Sequence, residues 1–249
     1  MGEDFKLTEF ERVLDFHTHV GEGRMTSFSV SQLGKAMSES GVTDAIIFPF
    51  GVEGPISETK SLKLVKEVEY FPNLFQFLRF DPKTMTPERL SELLPLFYGV
   101  KLHSKSENFD PINPTFFPLY DVIANSGKPL LFHTMVCNYQ NTHPDRIVAI
   151  TDEIPDLVLV LAHFCDCFPG LLDKIKTNDN IYLETSLGRS SPYSICSAVD
   201  KIGEDRILFG SDAPYGDQLI ERLNVERTKL SYKQKEKILY RNAARLLGL

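Results

Sequence analysis

The chain has 249 residues, 42% hydrophobic and 24% charged, with 15 glycines and 15 prolines; this is globular composition and excludes a disordered or collagen-like chain. Its 34 acidic against 27 basic side chains give a formal charge of −7, and such a surface repels nucleic-acid and lipid phosphates. No apolar run approaches the roughly 20 residues that span a bilayer, and Met1-Gly2-Glu3-Asp4-Phe5-Lys6 carries neither a secretion nor a myristoylation pattern. The expectation is a soluble, cytoplasmic protein with a small-molecule substrate and no nucleic-acid or membrane partner. Cys137, Cys165, Cys167 and Cys196 are too few and too uneven for a disulfide framework, and the Cys165-x-Cys167 spacing is not that of a redox or zinc pair.

In chain order, short apolar runs predict strands at Val13–His17, Ala45–Phe50, Leu74–Phe80, Gly99–His103, Pro129–Thr134, Leu157–His163, Ile181–Thr185 and Ile207–Ser211. Helical patterns separate them. Ser31–Ser40 stops at Gly41, Ser57–Phe71 stops at Pro72, and Thr86-Pro87 opens a third helix with a capping residue and a first-turn proline. Thr115–Asn125, Asp145–Ile154, Phe168–Lys176 and Ser191–Ile202 follow, and Ser231–Leu247 closes the chain. Runs such as Leu157-Val158-Leu159-Val160-Leu161-Ala162 suit strands buried on both faces. Eight-fold β-then-α alternation without a linker predicts one domain over residues 1–249, a (β/α)8 TIM barrel with a C-terminal helix. An open doubly wound sheet would carry a glycine-rich phosphate loop after an early strand, and Thr18-His19-Val20-Gly21-Glu22-Gly23 is not one.

His17 and His19 stand two apart at the end of the first predicted strand and share a face. With Leu14 and Phe16 assigned to the helix side, that face is the barrel interior. His133 ends the fifth strand, His163 the sixth, and Asp212 follows the eighth, so all lie on the C-terminal rim where barrel enzymes collect catalytic groups. Buried imidazoles and a carboxylate need partners. A divalent metal supplies one, and imidazole with carboxylate suits zinc first, then manganese or iron. On the fourth strand Lys101 and His103 share a face, and a lysine in the mouth binds an anion, is modified, or snorkels to solvent.

These residues resemble the amidohydrolase superfamily, and within it the amidohydrolase 2 group. The resemblance runs through Asp15-Phe16-His17-Thr18-His19, Phe80-Asp81-Pro82, Gly99-Val100-Lys101-Leu102-His103, Gly127–Thr134, Leu161-Ala162-His163, Tyr182–Ser186, Phe209–Pro214 and Asn242–Leu249. It implies that His17, His19, His133 and Asp212 hold a divalent metal, while His163 polarises the substrate carbonyl or helps hold a second metal. Two-metal members carboxylate a lysine at the position of Lys101; one ion is favoured here, with two kept open. The expected chemistry is hydrolysis of a small amide, ester, lactone or carboxylic substrate by metal-activated water, with Asp212 as general base and then acid and His163 stabilising the oxyanion.

Alternatives on the same residues are non-oxidative decarboxylation or hydration, a related phosphoesterase or deoxyribonuclease, and a non-catalytic metal-binding protein. The phosphoesterase would want a glutamate on the fourth strand, where Lys101 and His103 stand. Asp15 is a candidate to orient an imidazole. Glu184 faces the barrel or pairs with Arg189, and Arg24, Arg79, Arg189 and Lys105 are rim candidates for clamping an anion. Phe164–Phe168 and Met135–Tyr139 make the pocket walls bulkier than in relatives. Homodimers are common among such folds.

Overall fold

The structure, a computed structural model, describes residues 7–23, 26–51, 58–136, 140–164, 170–187 and 190–249. Its strands are β1 (Leu14–Glu22), β2 (Ser27–Phe28), β3 (Asp44–Pro49), β4 (Leu74–Arg79), β5 (Gly99–Leu102), β6 (Leu130–Phe132), β7 (Leu159–Leu161), β8 (Ile181–Glu184) and β9 (Ile207–Leu208). They form one sheet in the order β2-β1-β3-β4-β5-β6-β7-β8-β9, parallel throughout except for the β1–β2 hairpin. The sheet curls until its ends meet. Phe16 N donates to Phe209 O, Asp212 N to His17 O and His19 N to Ala213 O, each at 2.8 Å, and Thr18 bridges Ala213 in parallel. This is the predicted TIM-barrel architecture, and closure removes the exposed edge that an open sheet would leave.

The helices are α1 (Val30–Ser40), α2 (Glu58–Val68), α3 (Pro87–Leu93), α4 (Phe117–Asn125), α5 (Pro144–Val148), α6 (Ile150–Glu153), α7 (Leu171–Ile175), α8 (Pro192–Ile202), α9 (Gln218–Glu226), α10 (Tyr232–Glu236) and α11 (Asn242–Leu247). Their ends follow the sequence signals. Ser29, Ser191 and Ser231 close capping boxes, Thr86 caps α3, and Gly41 ends α1 at φ +65°. The predicted Asp145–Ile154 helix divides into α5 and α6, and within the described residues of the predicted Phe168–Lys176 helix the helical ones are Leu171–Ile175, α7. α9 is an element that the pattern does not announce. Its buried residues are Gln218, Glu221, Arg222 and Val225, so it turns a mostly polar face inward and leaves Leu219, Ile220 and Leu223 outside the buried set. Among the described residues no helix is long and apolar enough to cross a membrane.

The predicted Ser231–Leu247 helix is instead α10, a wide π-type turn over Lys237–Arg241, and α11. Inside that turn the Ile238 carbonyl accepts from Phe209 N at 3.0 Å, and Asn242 Nδ2 donates to the carbonyls of Glu204 and Ile207. The C-terminal segment is thereby tied to β9, and Ala243, with Tyr240, Leu246 and Leu247, packs against the residues filling the barrel.

Two apolar layers line the sheet. Val13, Ala45, Ile47, Leu78, Val100, Leu102, Phe132 and Leu161 pack outward against helices, whereas Leu14, Phe16, Ile46, Phe48, Phe77, Leu131, Val160 and Leu208 fill the interior. This corrects the expected parity of β1, because Leu14 and Phe16 point inward. His17 and His19 nevertheless also point inward, since the β1–β3 register shifts between Asp15 and Thr18. The bulge inserts one residue and reverses the alternation, and bulges of this kind re-aim side chains beside active sites.

Candidate active site

Five side chains named from sequence meet at the C-terminal mouth. His17 Nε2 lies 3.0 Å and His19 Nε2 2.9 Å from Asp212 Oδ1, and His163 Nε2 lies 2.9 Å from His133 Nδ1. Of these, His17, His163 and Asp212 present ligand atoms that all fall within 4.8 Å of one another and could hold a metal ion. His19 adjoins that group through Asp212, and His133 adjoins it through His163. His163 and Asp212 both take left-handed backbone, at φ +60° and +61°. Residues other than glycine rarely adopt it, and such strain concentrates at functional sites.

Glu184, whose direction the sequence left open, faces the barrel. Its Oε2 accepts from His17 Nδ1 at 2.7 Å and Ser186 Oγ at 3.0 Å, and its Oε1 accepts from Ser186 N at 2.5 Å. Gly210 makes room for it, because a Cβ there would collide with the Glu184 carboxylate. Ser186 Oγ also meets His163 Nδ1 at 2.8 Å, so one serine and one glutamate steady two of the three clustered residues. Ser186 closes the Tyr182–Ser186 stretch of the resemblance, but nothing in the sequence assigned it a role; its place depends on the turn after β8.

Asp15 does not orient an imidazole. The bulge turns it away from the site, where it accepts from His17 N, Ser211 N, Ser211 Oγ and Gln218 Nε2 and so braces the turn that carries Asp212. Burial still pushes its carboxyl up to about 6 against those bonds.

Lys101 and His103 both border the cavity, with Lys101 Nζ 3.2 Å from His17 Nε2 and the His103 ring stacked on His133 at 3.6 Å. Lys101 is buried rather than snorkelling, and burial brings its ammonium down to about 7, opposed by Asp212. Burial lowers His19 to about 3 and His163 to about 4, and holds His103 and His133 well below the usual imidazole value. Burial alone would raise Asp212, but the adjacent His17 and His19 hold it well below the usual carboxylate range. His17 runs the other way: burial and Lys101 press it down, and Asp212 with Glu184 outweigh them and raise it.

This donor set fits a cation. With Nδ1–H of His17 donated to Glu184, its Nε2 and Asp212 Oδ1 bring lone pairs together at 3.0 Å, which only a proton or a metal makes favourable. His19 Nδ1 is moreover buried with no hydrogen-bond partner among the described residues.

The cavity is about 210 Å³. Besides four of the five site residues, it is bordered by Gly51, Arg79, Lys101, His103, Ser106 and Tyr215. His19 stacks on the buried Phe50 at 5.2 Å, and Tyr215 meets both rings edge-on at 5.4 and 5.7 Å, so the His19 and Tyr215 rings that border the cavity are held by Phe50 behind them. Of the four predicted rim cations, Arg79 borders the cavity and Lys105 is exposed away from it. Arg24 and Arg189 lie outside the described residues, as do Cys137, Asn138, Tyr139 and Cys165–Phe168. Cys196, in α8, is a free thiol.

A family model described as Amidohydrolase matches residues 15–249, nearly the whole chain and every residue of the site. The chain belongs to the amidohydrolase family. No curated protein matches this amidohydrolase by sequence. Solved structures do match it by fold. A 2,6-dihydroxybenzoate decarboxylase holding 2,6-dihydroxybenzoate superposes at TM-score 0.75 with 17% identity, over 96% of this chain and 100% of the other. A dihydroxybenzoic acid decarboxylase from Polaromonas, with bound manganese and 2-nitroresorcinol, does so at 0.73 and 16%, over 96% and 98%. A candidate 2-pyrone-4,6-dicarboxylic acid hydrolase from Pseudomonas putida gives 0.75 and 17%, over 96% and 98%. At such identities the likeness establishes the shared barrel, and a fold of this kind hosts more than one reaction.

Proposed function

We propose that this amidohydrolase is a metal-dependent lyase that removes CO2, without oxidation, from a small aromatic carboxylate. The observation that carries the proposal is the wall bordering the same cavity as His17 and Asp212. Arg79 and Lys101 are register partners on β4 and β5, each about 1% exposed, and both border the cavity. Arg79 is already paired with Glu107 at 2.8 Å, and a substrate carboxylate supplies the anionic partner for the buried Lys101, which a neutral amide or ester does not. The rings of His19 and Tyr215 on the cavity wall and the single-ring size of the cavity suit a planar substrate. Fold neighbours named as decarboxylases of hydroxybenzoic acids support this reading over hydrolysis, which the sequence put first.

His17, His163 and Asp212 would hold the ion, with His19 and His133 at its edge, and a divalent cation there supplies a Lewis acid that polarises substrate oxygens. Zinc, manganese and iron all suit these ligands. The chain's own residues do the rest. Lys101 binds the departing carboxylate, the rings of His19 and Tyr215 exclude water, and the carbon that loses CO2 takes up one proton from the Lys101 ammonium.

A second reading, hydrolysis, is favoured by the ionised Asp212 between two imidazoles, which is placed to take a proton from an attacking water. The deciding experiment follows CO2 and phenol release from hydroxybenzoates by protein loaded with zinc or manganese, beside ester and lactone hydrolysis. CO2 release that Lys101→Gln abolishes is expected. Lactone or ester turnover without CO2 release would overturn the lyase reading.

A further inference from the structure

Ser186, just past β8, is fully buried between a carboxylate and two imidazoles. Its Oγ lies 3.0 Å from Glu184 Oε2, 2.8 Å from His163 Nδ1 and 3.5 Å from His17 Nδ1. Glu184 is ringed by donors, since His17 Nδ1 and Ser186 N also point at its oxygens, at 2.7 and 2.5 Å.

A serine hydroxyl has one hydrogen to give, and a carboxylate can only accept, so two arrangements are open. If the hydroxyl donates to His163 Nδ1, Ser186 Oγ and Glu184 Oε2 face each other at 3.0 Å as two acceptors with no hydrogen between them, both at 0% exposure. That is costly. If it donates to Glu184 the bond is charge-assisted, and His163 Nδ1 must then carry a hydrogen and donate it to Oγ. Every group is satisfied. In a neutral imidazole a hydrogen on Nδ1 leaves a bare lone pair on Nε2.

His163 is also the one of the five site residues that does not border the cavity. Its ring lies behind, with centroids 5.1 Å from His17 and 4.7 Å from His133. From there it reaches an ion shared with His17 and Asp212 and is set back from a substrate.

We infer that Ser186 is a positioning residue: by relaying the charge of Glu184 it keeps hydrogen on His163 Nδ1 and leaves Nε2 bare, so that His163 serves as an ion ligand and is barred from donating to an oxyanion, the role that the resemblance implied. One carboxylate thereby orients both imidazoles of the cluster, His17 directly and His163 through a hydroxyl. The inference rests on the ion of the proposed function and on neither choice of reaction.

The test is a long-range proton–nitrogen-15 NMR spectrum of the metal-free protein at neutral pH, in which the bare and hydrogen-bearing nitrogens of a neutral imidazole resonate far apart; comparison with His163→Gln identifies the His163 signals. In the wild type His163 should carry hydrogen on Nδ1 and none on Nε2. Ser186→Ala, which removes one buried oxygen, should move His163 toward the opposite tautomer and leave His17, held by Glu184 directly, as it was. Zinc binding, read by competition against a chromophoric chelator, should weaken at least about tenfold in this variant. A hydrogen on Nε2 in the wild type overturns the inference, as does a folded Ser186→Ala protein with an unchanged His163 spectrum or unchanged zinc affinity. Failure of the metal site itself shows separately, as a wild type that binds no zinc, because the tautomer is read without any ion.

Discussion

Replacing Glu184 by glutamine tests whether His17 is a metal ligand steadied from behind. The two side chains are 1% and 0% exposed and meet at 2.7 Å. Glutamine keeps the shape and one oxygen but removes the charge, and with it a charge-assisted hydrogen bond of about 1.5–3 kcal/mol. Part of that falls on folding, since Ser186 N and Ser186 Oγ also donate to this carboxylate. The remainder falls on the imidazole, whose orientation and basicity a carboxylate partner sets. Loss of such a partner typically weakens metal binding by about 10- to 100-fold. Competition for zinc or manganese against a chromophoric chelator reads this directly, with circular dichroism and a urea titration to show that the variant folds. A folded Glu184→Gln protein that binds metal as tightly as the wild type would refute the assignment of His17, and with it the arrangement of the site.

Other consequences follow from single features. His17→Ala and Asp212→Asn should each remove bound metal, read by elemental analysis of chelator-free preparations, while far-ultraviolet circular dichroism stays unchanged. Arg206 donates to the carbonyls of Ile175, Lys176, Asn178 and Ile202, gathering the ends of α7 and α8, so Arg206→Met should cost about 2–4 kcal/mol by urea denaturation without changing metal content. Gly99→Ala would set a Cβ 2.5 Å from the Phe77 ring inside the barrel and should destabilise by about 1–3 kcal/mol in the same assay. Asp110 is held below the usual carboxylate range, first by its hydrogen bonds to Arg146. Its folded pKa is therefore the lower one, so the pair stabilises above the unfolded value and the contribution fades as pH falls through the folded one. Because both side chains are about a third exposed, the gain is under about 1 kcal/mol, read as a stability gap between wild type and Asp110→Asn at neutral pH that closes in acid.

The sequence by itself determined the barrel. Strand and helix alternation is a local signal, and caps such as Ser29, Thr86, Ser191 and Ser231 act within a single turn, so both can be read without knowing what packs where. It also marked the rim, because His17, His19, His133, His163 and Asp212 each stand at the end of a strand. Tertiary structure alone decided how they meet. One extra residue in β1 reversed the side-chain alternation, a choice settled by pairing with β3 and invisible in an alternating run. Glu184, Ser186 and Glu107 matter through neighbours remote in the chain, and α9 folds on a polar face that only its packing explains. Periodicity reports which residues share a face of one element; which faces are brought together is fixed by closure of the barrel, where contacts between residues as far apart as His19 and Asp212 set the chemistry.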